Sequence, residues 1–569
     1  MARTPLFSAL RRAYRTALAA RGVPLPAAGL DARRRQILMA AAAVSAAPLA
    51  GCGDDETGPL PDEEVIAIVG GGIAGIHCAY RLNEAGIKAT VYEAQNRIGG
   101  RMFSAVGEFE EAPDQVCELG GELVDSGHET LKELADVLGL TLDDRLAGDQ
   151  APLQQDTWWI DGVSIPDATV VAQFTEVAPA MAMMLEAADS DDAAYEMLDN
   201  TPLDEWIDDT VPAAMYPELN AILQTAYRGE YGLENDQQSA LNLIYLIGAD
   251  DPEPFRIFGD SDERYHTHEG NEAFPKRLAE ALDADRIKLE HALKSVSDAE
   301  AGFELVFDGP DGEVKVSATR VVFALPFTKL REVDLSKLTL TAEKSAIIDE
   351  LGYGTNAKVM MGFSTRVWKV DHNSSGGMST DLPVQQSWDT TIGQSGAHGI
   401  LTNFLGGDQG VASGDGTPEE WAAAVVPNLE TIWPGMAAAF TGTAIRMHWP
   451  TVPTMKGSYA CYTPGQWAFF GLEGAREGNL HFCGEHTSLD FQGYMEGGAE
   501  TGALVAAEIL EDLEVAKPQG LVKCLGLKLL IPQSTYRASA FPRENPFKRK
   551  KRIREIARAL LRDLEATER

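Results

Sequence analysis

Cysteine is scarce in this sequence, with six residues in a chain of 569. The six are scattered, and no two are spaced as C-x-x-C. Disulfide-stapled domains and zinc sites need closely spaced cysteines, so we predict neither, and no metal site. Cys78 lies in a helical pattern and Cys483 in an apolar strand-like run, and both are predicted to be buried thiols.

Basic residues are also few, since 48 Lys and Arg against 86 Asp and Glu give a net charge of −38. The charge is uneven, at about +7 over residues 1–35, about −54 over 36–516 and about +9 over 517–569. An acidic body repels phosphates, which argues against nucleic acid as a partner. It attracts a cationic substrate, although an acidic surface also serves solubility.

The N-terminal apolar run, Met39 to Leu49, is too short to span a bilayer as a permanent anchor. The preceding Arg34-Arg35-Gln36-Ile37-Leu38 resembles a twin-arginine export signal, and Leu49-Ala50-Gly51-Cys52 resembles a bacterial lipobox. We therefore predict an exported protein, periplasmic or in the cell envelope, with a lipid anchor at Cys52. A disordered basic arm with a chance LAGC is the alternative.

A glycine-rich turn between a strand and a helix organises the chain. Val65 to Val69 is a β-branched apolar run typical of a buried strand, and the helical pattern runs from Ile76 to Glu84. Between them stand three glycines with G-x-G-x-x-G spacing: Gly70, Gly72 and Gly75. A second strand, Ala89 to Tyr92, delivers Glu93, which can accept hydrogen bonds from a ribose. This order predicts a dinucleotide site with its phosphates at the helix N-terminus.

The residues after the second strand narrow the cofactor. Arg97-Ile98-Gly99-Gly100-Arg101 resembles the GGR segment of the flavin-dependent amine oxidase family, which includes monoamine, polyamine and L-amino-acid oxidases. The resemblance implies FAD, because enzymes that bind NAD lack this continuation. Two further motifs resemble the family: Leu480 to Glu485, a strand that ends in an acid, and Gly493-Tyr494-Met495-Glu496-Gly497.

The resemblance covers about residues 64–513 and implies an α/β fold with a GR2-type, Rossmann-like FAD-binding domain and an α+β substrate domain. The predicted segments follow the chain: export signal 1–52, linker 53–64, FAD-binding 65–125, 262–335 and 470–516, helical substrate or cap region 126–261, substrate-domain sheet 336–469 and basic tail 517–569. Residues 547–564 of the tail form an amphipathic basic helix pattern, which suits an anionic membrane surface or docking on the acidic body.

Residues that match the family motifs are the candidate cofactor ligands. They are Gly70, Gly72, Gly75, Glu93, Arg97, Gly100, Arg101, Leu293, Glu485 and Met495. The candidate catalytic residues are Lys358, Tyr459 and Tyr494. Lys358 matches the family lysine that holds a water beside flavin N5, and the two tyrosines match an aromatic cage that orients a neutral amine. Without the resemblance, Lys358 would be a solvated strand lysine and the tyrosines packing residues.

Two departures from the family pattern bear on substrate and cofactor. Ser458 stands where covalent-flavin members carry cysteine, which indicates non-covalent FAD, although Cys461 is close in sequence. Phe103 stands where L-amino-acid oxidases often have an arginine for the substrate carboxylate, which favours a simple amine. An arginine from elsewhere, such as Arg228 or Arg256, could restore amino-acid binding.

The resemblance implies oxidative deamination of a primary or secondary amine, with hydride transfer to flavin N5 and O₂ reduced to H₂O₂. Three alternatives stay open: an L-amino-acid oxidase, an amine dehydrogenase that reduces a quinone, and a non-catalytic flavin-binding surface protein. The expected partners are a small-molecule amine, O₂ and a membrane surface contacted through the lipid anchor and the basic tail.

Overall fold

The structure is a computed structural model that describes residues 64–249, 255–525 and 528. The signal and lipobox predicted for residues 1–52 lie outside the described residues. The same is true of the linker up to residue 63 and of the amphipathic helix predicted for 547–564.

A five-stranded parallel sheet, here called the nucleotide sheet, contains the predicted first strand at its centre. All four residues of Ile66–Val69 are buried. Helices cover one face of the sheet, and the strand Gly302–Gly309 of a second sheet packs on the other face through Phe303, Leu305 and Phe307. The strands, in spatial order, are Ile287–Lys288, Ala89–Tyr92, Ile66–Val69, Arg320–Phe323 and Leu480–Phe482. The predicted strands at 65–69, 89–92 and 480–485 therefore belong to one sheet, with Arg320–Phe323 between the first and the last of them.

The glycine turn joins Ile66–Val69 to the helix Ile73–Glu84, which begins three residues earlier than predicted. Gly70 has a φ of 111°, and a Cβ there would lie 2.4 Å from the Ala324 carbonyl oxygen. A Cβ at Gly75 would lie 2.0 Å from the Gly70 carbonyl oxygen. Both positions therefore require glycine, since any side chain would separate the helix from the sheet.

The last core helix, Met495–Asp512, packs against Ile73–Glu84 and is buried from Glu496 to Leu510. A Cβ at Gly502 would lie 2.2 Å from the Ala74 carbonyl oxygen, so the two helices are in close backbone contact. The sequence predicts this helix to about Leu513, in agreement with the structure. The packing brings its N-terminus to the same edge of the nucleotide sheet as the glycine turn.

Most of the remaining strands form two mixed sheets. The four-stranded sheet has the order Gly312–Ala318, Gly302–Gly309, Ala292–Ala299 and Asp334–Lys337. The seven-stranded sheet, here called the large sheet, has the order Phe440–His448, Ala357–Phe363, Gly399–Leu405, Gln386–Asp389, Met378–Thr380, Thr157–Ile160 and Val163–Ile165. Two small sheets contain Ser104–Val106 with Val116–Glu118, and Leu123–Val124, Tyr265–Thr267 and Leu142–Asp144.

The region 126–261 is expected to be mostly helical, yet it supplies two strands of the large sheet. Thr157–Ile160 and Val163–Ile165 form a hairpin around Asp161 and Gly162, which both have positive φ. Asp-Gly is the two-residue loop that a tight hairpin favours, so the sequence contained a signal for this element. The hairpin pairs with Met378–Thr380 and thereby joins the helical region to the large sheet.

The other helices divide between this region and the remainder of the chain. Those between residues 126 and 261 are Glu129–Leu138, Asp167–Ser190, Asp192–Asp199, Leu203–Thr210, Pro217–Tyr231 and Ala240–Leu246. Those that follow are Ala273–Glu280, Phe327–Leu330, Ala342–Glu350, Val367–Val370, Gly407–Ala412, Pro418–Ile432, Met436–Ala439 and Gln519–Leu525. Short 3₁₀ turns occur at Gly148–Gln150, Asn235–Gln237, Ala284–Arg286, Trp449–Thr451, Gln466–Phe469 and Glu485–Thr487.

Asp167–Ser190 is long and apolar enough to cross a membrane by length and composition, with a mean hydropathy of 1.3 in its most apolar window. Core helices of soluble proteins pass the same test. Val170, Phe174, Val177, Ala178 and Met181 of this helix are buried in the hydrophobic core. The helix therefore forms part of the folded helical region.

Candidate active site

A cavity of about 1260 Å³ lies between the carboxyl edge of the nucleotide sheet, the large sheet and the helical region. It is larger than the roughly 300–1,000 Å³ of an ordinary small-molecule site. One end is lined by the glycine turn, and the other by Lys358, Tyr459 and Tyr494. The sequence-predicted cofactor and catalytic residues thus meet, with few exceptions, around one continuous space.

The glycine turn lines the cavity through Gly70, Gly72, Gly99 and Gly100. Gly99 N donates to the Gly71 carbonyl oxygen at 2.8 Å, which ties the GGR segment to the turn. Gly72 precedes the helix Ile73–Glu84, and a Cβ built there meets nothing within 4 Å. The turn therefore leaves an open approach to the helix N-terminus, where free N–H groups and the helix dipole favour phosphate.

Glu93 lies at the end of the second strand and is buried while lining the cavity. Its Oε2 accepts from Gly71 N at 2.7 Å and its Oε1 from Gln95 N at 2.8 Å. Burial raises the pKa of this carboxyl, and the two backbone hydrogen bonds oppose the rise. Glu93 therefore fixes the turn and is placed to accept from a ribose with its remaining lone pairs.

Arg97 differs from its predicted role. It does not line the cavity; its guanidinium donates to the carbonyl oxygens of Ile98 and Gly100, at 3.1 and 2.7 Å. It also stacks on the Phe103 ring, with 3.8 Å between the guanidinium carbon and the ring centroid. Two of the five N–H donors of Arg97 thus hold the GGR loop, and its contact with the cofactor stays a prediction.

Arg101 lines the cavity as predicted and links three segments. Its Nη1 donates to Glu485 Oε1 at 2.8 Å and to the Ser458 carbonyl oxygen at 2.7 Å. Glu485 Oε2 accepts from Gly493 N at 2.9 Å. The Arg101–Glu485 pair therefore connects the GGR loop to the segments that carry Tyr459 and Tyr494.

Leu293 and Met495, the last two predicted cofactor residues, also line the cavity. Leu293 lies in the strand Ala292–Ala299 of the four-stranded sheet. It follows His291 by two residues, and His291 lines the same end of the cavity. Met495 begins the last core helix, and a Cβ at Gly121 would lie 2.5 Å from its Cγ. Gly121 is required by this close approach, which the sequence pattern alone did not show.

Lys358 lies on the strand Ala357–Phe363 and is buried, with its ammonium on the cavity wall. Its Nζ donates to the carbonyl oxygens of Glu118 at 3.2 Å and Gly120 at 2.7 Å, and to Glu122 Oε2 at 2.8 Å. An ammonium has three N–H donors. Lys358 therefore makes three direct contacts with the protein, and the prediction that it holds a water beside flavin N5 stays a prediction.

Glu122 ends the segment Cys117-Glu118-Leu119-Gly120-Gly121-Glu122, which resembles the family's E-x-GG element, but it is not among the predicted site residues. Its side chain is 2% exposed and lines the cavity beside Lys358. Burial pushes its pKa upward, but the charge of Lys358, together with His266 and hydrogen bonds to the carboxylate, outweighs burial, and the pKa lies below its ordinary value. The ELGGE sequence contained this acid, but only the strand pairing that brings Lys358 to it shows its role.

Two buried groups behind this pair are neutral near pH 7. Burial raises the pKa of Glu118 to about 8, although it accepts a hydrogen bond from Asn271 N at 2.8 Å. Burial lowers the pKa of His266 to about 4. Lys358 and Glu122 are therefore the charged pair at the centre of an otherwise neutral buried cluster.

Tyr459 and Tyr494 both line the cavity, and their hydroxyls reach the same residue. Tyr459 Oη donates to the Glu230 carbonyl oxygen, and Tyr494 Oη donates to Glu230 Oε1 at 3.0 Å. Glu230 lies near the end of the helix Pro217–Tyr231. The structure thus brings two tyrosines that are 35 positions apart to one residue, and their role as an aromatic cage stays a prediction.

The other candidates from sequence divide between the cavity and its surroundings. Ser458 and Arg256 line the cavity. Cys461 is buried beside Asn242 and does not line the cavity. Arg228 does not line the cavity either, and it pairs with Glu234 at 2.8 Å. Of the two arginines proposed for a substrate carboxylate, only Arg256 is therefore in position.

A dinucleotide cradle at one end and an aromatic, lysine-bearing pocket at the other define a flavin-dependent oxidoreductase. Comparison with known proteins refines that class. Residues 73–510 match the family described as flavin containing amine oxidoreductase, and the chain belongs to this family. The predicted resemblance to flavin-dependent amine oxidases is confirmed, and the protein is an oxidoreductase acting on amines.

Known relatives include both amino-acid and amine oxidases. An L-amino-acid oxidase of Mus musculus is 23% identical over 461 residues, covering 78% of this chain and 70% of that protein. A probable flavin-containing monoamine oxidase A of Dictyostelium discoideum is 22% identical over 480 residues, covering 79% and 98%. The solved cyclohexylamine oxidase from Brevibacterium oxydans has a TM-score of 0.68 at 24% identity, covering 80% and 100%. These likenesses confirm the α/β flavin-binding fold.

Proposed function

We propose that the protein is an FAD-dependent amine oxidase that deaminates a primary or secondary amine, with O₂ as the final electron acceptor and H₂O₂ as a product. The observation that carries the proposal is the meeting of Lys358, Tyr459 and Tyr494 in a cavity continuous with the glycine turn. The cavity is large enough for a dinucleotide and a substrate together.

The residues present fit FAD. Gly70, Gly72, Gly99 and Gly100 leave an open cradle for the pyrophosphate, and Glu93 lies where a ribose would follow. Arg101, Glu485 and Met495 line the path toward Lys358. When bound, FAD supplies the acceptor for the hydride that leaves the carbon next to the amine nitrogen. We propose non-covalent binding, since Ser458 occupies the wall and Cys461 lies behind it.

The chain's own residues bind and orient the amine. Tyr459 and Tyr494 supply aromatic rings to the cavity wall, and their hydroxyls contact Glu230. Desolvation between aromatic rings favours the neutral amine, which is the form that can release hydride. Lys358 and Glu122 hold a fixed pair of opposite charges at the pocket wall.

The test is anaerobic reduction of the flavin by a panel of amines and amino acids. The yellow absorbance should bleach with at least one simple amine and return on admission of air. Reduction by amino acids alone would reject the simple-amine assignment. A protein that takes up FAD but is bleached by no amine or amino acid would support a non-catalytic flavin-binding surface protein instead.

An L-amino-acid oxidase is the second candidate, because Arg256 lines the cavity. Its Nη1 contacts Asp260 Oδ1 at 3.0 Å, so a substrate carboxylate would have to compete with Asp260. Replacing Arg256 with glutamine separates the two functions. Loss of amino-acid turnover with retained amine turnover would mark Arg256 as the carboxylate ligand and favour this candidate.

The electron acceptor is tested separately. We propose O₂, so H₂O₂ should form in amounts equal to the amine consumed. A quinone-reducing amine dehydrogenase would instead turn over equally with and without oxygen when a quinone is supplied.

We further propose that the protein is exported and anchored by lipid at Cys52, which the LAGC sequence supports. The full chain should then fractionate with membranes from the producing cell. Cys52→Ser should release it to the soluble fraction while the flavin content stays unchanged. Equal membrane content in both forms would reject the lipid anchor.

A further inference from the structure

The helix Asp167–Ser190 has an apolar side that is exposed to solvent. Its inner side, which includes Val170, Phe174 and Met181, is buried in the hydrophobic core. Its most apolar window has a mean hydropathy of 1.3, yet only 28% of that window is buried. The exposed residues follow one another at helical spacing, and we call them the outer face: Ala168, Ala172, Thr175, Pro179 and Met183. A helix that is apolar on both sides is typical of one that is covered on both sides.

Two exposed methionines lie at the outer face. Met183 belongs to it and is 65% exposed, and Met215 is 66% exposed. Tyr216, the neighbour of Met215, donates from its Oη to Glu176 Oε2 at 3.2 Å, which places this part of the chain beside the helix. Methionine side chains are flexible and polarisable, so they adapt to the apolar side chains of a partner. The surface therefore suits a partner that presents large aliphatic residues.

The chain around the outer face carries negative charge only. Residues 146–227 contain 16 Asp and Glu and no Lys or Arg. Glu176 and Glu186 are exposed on the same helix. Pro179 has no N–H, so the Thr175 carbonyl oxygen receives no hydrogen bond from the position four residues later. The surface thus offers negative charge and hydrogen-bond acceptors, which select a partner that brings positive charge and donors.

These charges disfavour two occupants of an apolar surface. An anionic membrane attracts basic segments and repels acidic ones, so the acids around the outer face oppose membrane contact. A second copy of this chain would place one acidic surface against another, and like charges that face each other cost free energy. The observations therefore favour a basic amphipathic partner.

The chain itself contains such a segment, residues 547–564, which lie outside the described residues. This segment has eight Lys and Arg against two acids, Glu555 and Asp563. Its large apolar residues recur at helical spacing: Ile553, Ile556, Ala557, Leu560, Leu561 and Leu564. Both the sign of its charge and its aliphatic side chains complement the outer face.

The length of the chain allows this segment to reach the outer face. Residues 529–546 connect it to Lys528, and an extended chain of that length spans about 60 Å. In a helix, Ile553 to Leu564 would extend over about 17 Å, and Ala168 to Met183 extends over about 22 Å. The other basic segment, residues 1–35, is removed by the processing at Cys52 proposed above.

We propose that the basic segment 547–564 docks on the outer face of Asp167–Ser190 within the same chain. Its aliphatic side chains pack against Met183 and Met215, and its Lys and Arg lie near Glu176 and Glu186. The contact removes an exposed apolar surface from water, which otherwise favours association of the folded protein. This interaction surface is separate from the active-site cavity, since none of these residues lines it.

Cysteine labelling of the full-length chain tests the docking. Met183→Cys and Val370→Cys place one thiol each at positions of similar exposure, 65% and 70%, and Val370 lies on the separate helix Val367–Val370. We expect a water-soluble maleimide to label position 183 at least tenfold more slowly than position 370, measured by mass spectrometry of each peptide. Equal rates at the two positions would overturn the proposal.

Variants of the tail identify the occupant. Ile556→Asp with Leu560→Asp places charge on the apolar side of the segment and should raise the labelling rate at position 183 to that at position 370. Ala559→Asp with Ala566→Asp adds the same charge on the opposite side of the helical pattern and is the control, with slow labelling retained. Slow labelling that survives the first pair would exclude the tail as the occupant.

Two further measurements separate the other occupants. Slow labelling that is lost on hundredfold dilution would assign the outer face to a second copy, and slow labelling that appears only with phosphatidylglycerol vesicles would assign it to a membrane. Either outcome would overturn docking within the chain. Protection that is independent of protein concentration and present without vesicles is the expected result.

Discussion

Lys358 and Glu122 form an ion pair that is almost completely excluded from water, with side-chain exposures of 6% and 2%. Breaking a buried pair by removing one partner leaves an uncompensated charge, which costs about 3–5 kcal/mol. We therefore expect Lys358→Met to lower the melting temperature of the flavin-loaded protein by several degrees. Glu122→Gln in the same chain should recover more than half of that loss, because it removes the stranded charge.

The measurement is a thermal melt of the two single variants and the double variant, analysed as a cycle. Additive losses in the double variant would show that the two side chains do not stabilise each other.

Glu118 is a second buried acid, and it predicts a dependence of stability on pH. Its pKa is raised to about 8, so the folded protein binds its proton more tightly than the unfolded chain does. The stability of the fold should therefore fall as pH rises from about 4.5 toward 8, because the unfolded state gains ionisation first. Glu118→Gln should flatten this part of the profile.

The melting temperature measured from pH 5 to 9 tests the effect, with the unaltered protein and the variant in the same buffers. Profiles that run parallel across this range would show that Glu118 titrates normally.

At the scale of single residues, the motifs predicted most of the residues that line the cavity, but they did not predict which side chains pair with one another. Gly70, Glu93, Arg101 and Tyr494 were found because each stands at a fixed position within a local motif. Glu122 was not among the predicted site residues, because its pairing with Lys358 depends on a strand distant in sequence. Arg97 was predicted to bind the cofactor, and two of its donors contact carbonyl oxygens of its own loop, an arrangement that motif spacing does not predict.

The strand–turn–helix element makes its own prediction. Gly72→Ala places a methyl group in open space in front of the helix Ile73–Glu84. The fold should tolerate it, but the methyl group occupies the approach to the phosphate, so FAD affinity should fall at least tenfold.

Gly127→Ala is the matched control, since a Cβ there also meets nothing within 4 Å and Gly127 does not line the cavity. Flavin titration followed by fluorescence gives both affinities. Unchanged FAD binding in Gly72→Ala would remove the turn from the cofactor site.

A lysine from the C-terminal segment stabilises the loop before the last core helix. Lys528 Nζ lies 3.0 Å from Asp490 Oδ2 and also pairs with Glu500, and both carboxylates are buried. Lys528→Met should destabilise the protein by about 3 kcal/mol, because it removes their counter-charge. Burial raises the pKa of Glu500 to about 7, so the loss should be larger at pH 8.5 than at pH 6.

Lys523→Gln, an exposed lysine of the helix Gln519–Leu525, is the control for loss of one positive charge. Adding Glu500→Gln to Lys528→Met should restore part of the melting temperature. An effect equal to that of the control would mean that the contact contributes nothing.

Elements with strong local signals were predicted well, and those that depend on partners were not. The strands of the nucleotide sheet are short and largely apolar, and those predicted at 65–69, 89–92 and 480–485 were placed to within a few residues. The hairpin Thr157–Ile160 with Val163–Ile165 was overlooked among helices, because its edge pairing with Met378–Thr380 joins segments more than 200 residues apart. The four-stranded sheet contains three consecutive antiparallel strands, Ala292–Ala299, Gly302–Gly309 and Gly312–Ala318. The family resemblance placed them within the FAD-binding segment 262–335 and did not predict a separate sheet.

At the scale of the whole molecule, charge governs how substrate arrives. The net charge of −38 attracts cationic amines from solution, and salt screens that attraction beyond about 10 Å at 0.1 M. We expect kcat/KM for hexylamine to fall several-fold between about 20 mM and about 500 mM NaCl, while kcat changes little. Steady-state rates across this series provide the check, and a kcat/KM independent of salt would exclude electrostatic steering.

Glu230 receives hydrogen bonds from both Tyr459 and Tyr494, although the two rings belong to separate stretches of chain. One residue near the end of the helix Pro217–Tyr231 therefore links the two phenol hydroxyls. A rigid shift of that helix would carry both phenols together and preserve the slot, whereas a bend within its last turn would open or narrow it. The width available to a substrate is in this way governed from outside the flavin-binding part of the protein.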